Sequence, residues 1–183
     1  MMLRQARLED LPEILAIFNF HIEHTTVIYH YKTKSPTEMQ TWFNEKKQSN
    51  FPVLVAEENG KVTGYGTYGQ FRPHEAYQYC VEHSVYVSPK WQGKGIGKQL
   101  ILELIAIAKK ENYHTMVAGI DAENKFSIEF HKKNNFITTV TAVKPPGRFG
   151  SLYIKNNEVL QFKEKIKEDP SWINGGFFVS ELG

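Results

Sequence analysis

The sequence predicts an α/β fold with a mixed, mostly antiparallel central sheet flanked by helices. Three observations carry this expectation. Apolar residues recur at helical spacing near the N-terminus and in the second half of the chain. Short apolar or alternating runs bounded by turn signals lie between them. A glycine-bearing loop joins one alternating run to a helix. The resulting order is strand, two helices, three strands, helix, strand, helix, strand.

Leu3 to Arg7 reads as a first strand. Asp10 then opens a helix, with Pro12 in its first turn and Glu13 at capping-box spacing. Leu11, Ile14, Leu15, Phe18 and Ile22 supply its buried stripe. Ser35-Pro36-Thr37-Glu38 starts a second helix, with Ser35 as cap and Pro36 at the first helical position; this helix carries Met39, Trp42 and Phe43. Val53 to Ala56 and Lys61 to Tyr68 form a hairpin about Asn59-Gly60. Tyr79 to Val87 is the next strand. Alternation puts Val81, His83, Val85 and Val87 on one face, and Cys80, Glu82, Ser84 and Tyr86 on the other, unless a bulge intervenes. A loop over Ser88 to Gly97 leads into a helix from about Lys98 to Glu111. Met116 to Ile120 is a strand, Asn124 to Asn134 a helix and Phe136 to Val143 a strand.

Bulk properties exclude several function classes. The chain has 183 residues, is 41% hydrophobic and 23% charged, and carries a formal net charge of +2. That charge is too small to indicate nucleic-acid binding, and no basic run supports it. No apolar stretch is long enough to cross a bilayer. Cys80 is the one cysteine, so no intrachain disulfide is possible, which fits a reducing cytoplasm. The remaining histidines His21, His24, His30, His74 and His114 form no metal-ligand spacing, and no metal is expected.

The segment from Val85 to Lys98 carries the chemistry. It is a strand, then Gln92-Gly93-Lys94-Gly95-Ile96-Gly97, then a helix. Glycines let several N–H groups converge at a helix N-terminus, where the dipole also favours phosphate oxygens. Lys94 and Lys98 add positive charge. A Walker A loop would need Ser or Thr after Gly97-Lys98, and Gln99 stands there. A dinucleotide fingerprint would need different glycine spacing and a first-strand location.

Gln92-Gly93-Lys94-Gly95-Ile96-Gly97 resembles the pyrophosphate loop of GNAT acetyltransferases. The surrounding residues resemble the phosphinothricin acetyltransferases of that superfamily. These are Phe18-Asn19, Ile22-Glu23 and Thr26-Val27; Arg72 with Ala76-Tyr77; Val81 to Ser88; and Asn124, Ser127-Ile128 and His131. The likeness runs from about Leu3 to Phe136. It implies a GNAT domain over residues 1–139 and acetyl-CoA as cosubstrate. The acceptor it implies is a small amino-acid-like amine such as phosphinothricin or methionine sulfoximine. It also implies a homodimer.

The same resemblance marks site residues. Glu82 is the candidate general base: a carboxylate in a partly desolvated cleft can take the proton an ammonium must lose before attack. Its alternative is an ion pair with a neighbouring cation. His131 stands where many GNAT enzymes have a tyrosine that protonates the departing thiolate. It reads as a general acid, as a hydrogen-bond partner of the cofactor, or as an exposed helix histidine. Val85 and Val87 would offer backbone groups to the pantetheine arm, with Asn124 and Ser127 beside it. Asn124 equally suits a helix cap. Arg72 and Phe18 are the acceptor-binding candidates, Arg72 because a guanidinium suits a carboxylate or phosphinate. His83 and Cys80 read as packing residues.

Residues 140–183 depart from the family and form an atypical C-terminal segment. Val140 to Leu152, Phe162 to Lys165 and Ser171 to Val179 resemble an internal piece of glucose-1-phosphate cytidylyltransferases. The segment lacks that family's N-terminal nucleotide loop and metal-binding acid, so nucleotidyl transfer is not expected. Ile137 to Val143 could pair with Ser151 to Ile154 around Pro145-Pro146-Gly147, with a further turn at Asn156-Asn157. The apolar Phe177-Phe178-Val179 would need burial, for instance against a second subunit. The expected function is N-acetyl transfer. The alternative is an acyl-CoA-binding protein disabled by its C-terminus.

Overall fold

The computed structural model describes residues 1–28, 30–121 and 124–136 with their side chains. Beyond these it describes the strand backbone of 137–139, 142–143, 151–155, 158–163, 173–174 and 177–181. In chain order the elements are β1 (Met2–Gln5), α1 (Leu11–His24), α2 (Pro36–Gln48), β2 (Val53–Glu58), β3 (Lys61–Gln70), β4 (Cys80–Val87), α3 (Ile96–Lys110), β5 (Thr115–Gly119) and α4 (Lys125–Lys133). The short strands β6 (Ile137–Thr139), β7 (Ala142–Val143), β8 (Ser151–Lys155), β9 (Glu158–Lys163), β10 (Ile173–Asn174) and β11 (Phe177–Glu181) follow.

Seven strands form one sheet in the order β1-β2-β3-β4-β5-β11-β6. All neighbours are antiparallel except β4 and β5. Along β2, Val53 and Val55 pack against α1 and α2, whereas Leu54 and Ala56 pack on the opposite face against α3. The first layer buries Leu11, Ile14, Ile17, Met39 and Phe43; the second buries Leu100, Ile101, Leu104 and Ala108. A strand segment covered on both faces is apolar throughout, which is why 53–56 of β2 reads as an unbroken hydrophobic run before the half-buried Glu57 and Glu58.

Several local expectations hold. Ser35 accepts from the Glu38 amide while the Glu38 carboxylate accepts from the Ser35 amide at 2.7 Å, the reciprocal cap that starts α2. Asn59 and Gly60 both take positive φ, as a tight hairpin turn requires. Strand β4 pairs with β3 in unbroken register from Val87 opposite Gly64 to Val81 opposite Gln70, so no bulge interrupts this pairing. Alternation therefore sets the direction of its side chains.

Others are corrected. The Asp10–Glu13 capping box does not form. Asp10 is held by the Arg4 guanidinium at 2.7 and 2.8 Å and by the Arg7 amide, and Glu13 instead accepts from the Val62 amide. A buried ion pair across the β1–α1 corner outcompetes a local cap. The buried stripe of α1 is Leu11, Ile14, Ile17 and His21, with Ile22 only half-buried. Helix α3 begins at Ile96, so the last glycine of the loop already lies in its first turn.

The C-terminal pairing also differs from expectation. Strand β7 pairs with β10, not with β8. Strands β8 and β9 pair with each other across residues 156–157, where a turn was expected. Strand β11 lies between β5 and β6, so the backbone of Phe177, Phe178 and Val179 is paired on both edges within one sheet; where their side chains are buried lies outside the described residues. The side chains of residues 137–183, and residues 144–150 with the turn expected at Pro145-Pro146-Gly147, lie outside the described residues.

Candidate active site

The site originates where two parallel strands part. Strands β4 and β5 are bridged only at Cys80–Thr115, Val81–Met116 and Glu82–Val117. Beyond Glu82 they diverge, and a cavity of about 670 Å³ opens between Ser84–Val87 on one side and Ala118–Asp121 on the other. A second cavity of about 400 Å³ lies on the α1–α2 face. Val27, His83, Ser84, Tyr86 and Gly119 border both, so the two spaces meet across the gap between the strands.

The larger cavity gathers most of the sequence-predicted cofactor residues. Val85, Val87, Gln92, Gly93, Gly95, Ile96, Gly97 and Lys98 border it from β4, the loop and α3. Asn124, Ser127 and His131 border it from α4. Gly93 and Gly95 have φ of 76° and 80°. Gly95 caps α3 in the left-handed region, a conformation that costs a side chain strain. The first turn of α3 carries no acidic residue, so its amide groups and positive dipole end face an anion unopposed. Lys94 does not border the cavity; its ammonium sits 4.1 Å above the Trp91 ring.

Asn124 caps α4, its Oδ1 accepting from the Ser127 amide at 3.0 Å, while both residues remain on the cavity wall. The Val87 carbonyl is engaged by His21 Nε2 at 3.1 Å. With Nε2 donating there, Nδ1 of His21 is left buried and without a hydrogen-bond partner among the described residues.

His131 is buried, not exposed on its helix. Its Nδ1 lies 2.7 Å from the Ser127 carbonyl, and its ring stacks on that of His83 with centroids 5.1 Å apart. A neutral ring donating through Nδ1 has a bare Nε2, which is an acceptor. Burial lowers the proton affinity of His131, and pushes His83 down to about 3 with help from its neighbour. His131 Nε2 and both ring nitrogens of His83 have no hydrogen-bond partner among the described residues.

Glu82 borders the smaller cavity alone, half-buried against β5, with Oε1 3.0 Å from the place a Cβ on Gly119 would take. Burial raises the proton affinity of its carboxyl, and the charges of Arg72 and Lys46 oppose that rise. Phe18 borders this cavity too, edge-on to Tyr86 with centroids 6.1 Å apart. Arg72 borders neither cavity; its guanidinium lies 4.9 Å from the Phe71 ring and acts on Glu82 through its charge.

Sequence reasoning missed several residues here. Met39 and Trp42, expected only as residues carried by the second helix, line the smaller cavity, as do Tyr65, Thr67 and Lys46. A helical apolar stripe does not reveal that one end of it faces an opening. Lys46 carried no motif at all.

Residues 14–136 match the model of the acetyltransferase (GNAT) family. The chain belongs to the GNAT acetyltransferase family. A GNAT relative, the L-amino acid N-acyltransferase MnaT of Escherichia coli (strain K12), is 36% identical over 169 residues, 92% of this chain and 98% of that one. The L-methionine sulfoximine/L-methionine sulfone acetyltransferase of Salmonella typhimurium is 41% identical over 145 residues, 79% of this chain and 84% of that one. Among solved structures, yncA from Salmonella typhimurium, determined with its cofactor acetyl-CoA, superposes with a TM-score of 0.80 at 33% identity, covering 100% of this chain and 94% of that one. The GNAT fold and the enzyme class expected from the sequence, an N-acetyltransferase, both hold. Among the described residues no helix is long and apolar enough to cross a membrane, and no cluster of metal-ligating side chains occurs.

Proposed function

We propose that the protein transfers the acetyl group of acetyl-CoA to the amine of a small amino-acid-like acceptor, of the phosphinothricin or methionine sulfoximine type. The observation that carries this reading is the meeting of two cavities at Ser84, Tyr86 and Gly119, with the phosphate-suited loop on one side and Glu82 on the other. Acetyl-CoA supplies an acetyl group activated as a thioester. Its pyrophosphate would lie on the amides of Gln92 to Lys98. Its pantetheine arm would run along Val85 and Val87 towards Asn124 and Ser127.

Glu82 takes the proton of the acceptor ammonium, directly or through water, and the freed amine attacks the thioester carbonyl from the smaller cavity, so that the C–N bond of the amide forms as the C–S bond breaks and CoA leaves as its thiolate. The enclosed position of Glu82 favours that role, because burial makes its carboxylate a better base than an exposed one. His131 serves the same step from the other side, as a hydrogen-bond acceptor in its neutral form and as a proton donor to the thiolate when charged. Phe18 forms the apolar wall of the acceptor cavity, and Arg72 contributes positive charge at its edge.

Residues 1–139 form the catalytic domain in this reading, and residues 140–183 complete its sheet through β11. Pairing of β11 with β5, and the near-full-length match to MnaT, favour this over any role in nucleotidyl transfer for the cytidylyltransferase-like segment. We assign the enzyme to the cytoplasm on its single cysteine, and to a homodimer on the family resemblance, to be checked by light scattering.

The test is Glu82→Gln, which keeps the shape and removes the basicity. Turnover of L-methionine sulfoximine at neutral pH should fall ~10²–10⁴-fold with acetyl-CoA affinity retained. Normal turnover would remove Glu82 from the reaction.

A further inference from the structure

We propose that Lys46 is a positioning residue for this reaction: its ammonium occupies the place beside Glu82 that Gly69 leaves open, and there stabilises the Glu82 carboxylate. This rests on Glu82 being the base, as proposed above.

The argument begins with register. Gly69 on β3 lies directly opposite Glu82 on β4. In an antiparallel pair, side chains directly opposite one another are nearest neighbours across the strands. Gly69 supplies no side chain, and a Cβ built on it would fall 2.7 Å from the Lys46 ammonium. Lys46, reaching in from the last turn of α2, therefore stands where the cross-strand neighbour of Glu82 would be.

It is held there. The ammonium donates to the Tyr68 carbonyl at 2.8 Å, and lies 5.3 Å from the Phe51 ring. Both Lys46 and Glu82 border the acceptor-side cavity, and among the described residues Glu82 is the one carboxylate lining it. A half-buried ammonium with a single carbonyl partner is poorly compensated unless a negative charge is near. Glu82 supplies that charge.

Other titratable groups face Glu82. Cys80 and Tyr86 lie on its own strand and each feels its charge. Arg72, whose charge acts on Glu82 more strongly than that of Lys46, follows β3, and His30 and Lys34 border the same cavity from the α1–α2 connection. Lys46 differs from all of them in occupying the cross-strand position. Burial pushes its ammonium down to about 8, which leaves it charged at acidic pH, while burial raises the proton affinity of Glu82.

The sign follows. An opposite charge within a few ångströms lowers a carboxyl pKa by ~1–3 units. Losing that charge should move the acidic limb of kcat/KM to higher pH by about one unit, a loss of about tenfold on the limb, with recovery on the plateau. Two variants test this, with L-methionine sulfoximine as acceptor throughout so that its own titration is common to all. Lys46→Met removes the charge. Gly69→Ala keeps it but displaces the flexible ammonium, and should move the limb the same way by less; it decides the question if Lys46→Met does not fold. An unmoved limb in the folded variants overturns the proposal, as does a raised KM at every pH with no change of limb, which would make Lys46 an acceptor contact. Glu82→Gln is run in parallel. If it loses turnover while the limb of the Lys46 and Gly69 variants stays put, Lys46 alone is wrong. If it keeps normal turnover, the base assignment fails and this inference with it.

Discussion

The proposed chemistry rests on two residues, Glu82 through its side chain and Gly95 through its backbone. Gly95 sits at φ 80° at the head of α3, with open space where a Cβ would point. A Cβ there would meet no protein atom within 4 Å, but it would be strained and would stand in the space proposed for the pyrophosphate. Gly95→Val should therefore weaken acetyl-CoA binding strongly, by tenfold or more, while costing about 1–2 kcal/mol of stability. Titration calorimetry beside a urea melt separates the two effects; unchanged affinity would mean that the cofactor lies elsewhere. At His83 the environment itself makes the prediction. Its neutral ring is buried with no partner for either nitrogen among the described residues. Its proton affinity is pushed down to about 3, whereas the unfolded chain's imidazole titrates near about 6.5. Between those values the unfolded state binds more protons, so stability falls as pH drops. The loss should reach roughly 2–3 kcal/mol by about pH 4.5. Urea midpoints measured from pH 7 downward should fall less steeply in His83→Phe than in the parent; equal slopes would show that His83 is not the sensor.

At the scale of elements, the decisive feature is the short contact between β4 and β5. Three bridged positions hold them together, and everything beyond is wall for the two cavities. The direction of Glu82 depends on this unbulged register, since a slip of one residue would send it to the α3 face. Helix α2 matters for a different reason: it carries Lys46, Met39 and Trp42 to the wall of the smaller cavity, the proposed acceptor site. Its start is set by the reciprocal cap of Ser35 and Glu38. Ser35→Ala should cost about 1 kcal/mol. Catalysis per folded molecule should hardly change, because neither Ser35 nor Glu38 lines either cavity. A large fall in kcat with unaltered stability would show that α2 is positioned by something other than its cap.

At the scale of the whole molecule, the sheet closes through the end of the described chain. Strand β11 is hydrogen-bonded to β5 on one edge and β6 on the other, filling the gap between them. A chain ending at Asn174 would leave the β5 edge bare beside the site. Such an edge is a template for association. The shortened protein should aggregate or lose acetyl-CoA binding on size-exclusion and thermal-shift measurements. A monodisperse, fully active product would show that β11 is dispensable.

The sequence by itself determined a good deal of this protein. The hairpin at Asn59-Gly60, the cap at Ser35, the glycine loop before α3 and the alternation of β4 are all local, and each depends on residues within a few positions of one another. Local chemistry is legible because neighbouring residues compete for the same few backbone groups. Only the tertiary structure decided that Asp10 belongs to Arg4 instead of to its helix, that His131 is buried against His83, and that Arg72 stays outside the cavities. It also decided that Lys46 takes the empty place opposite Glu82, and that β11 inserts between β5 and β6. Each of these joins segments far apart in the chain, through burial and long-range charge. Neither leaves a periodicity or a spacing in the sequence, because the partner is chosen by packing and not by distance along the chain.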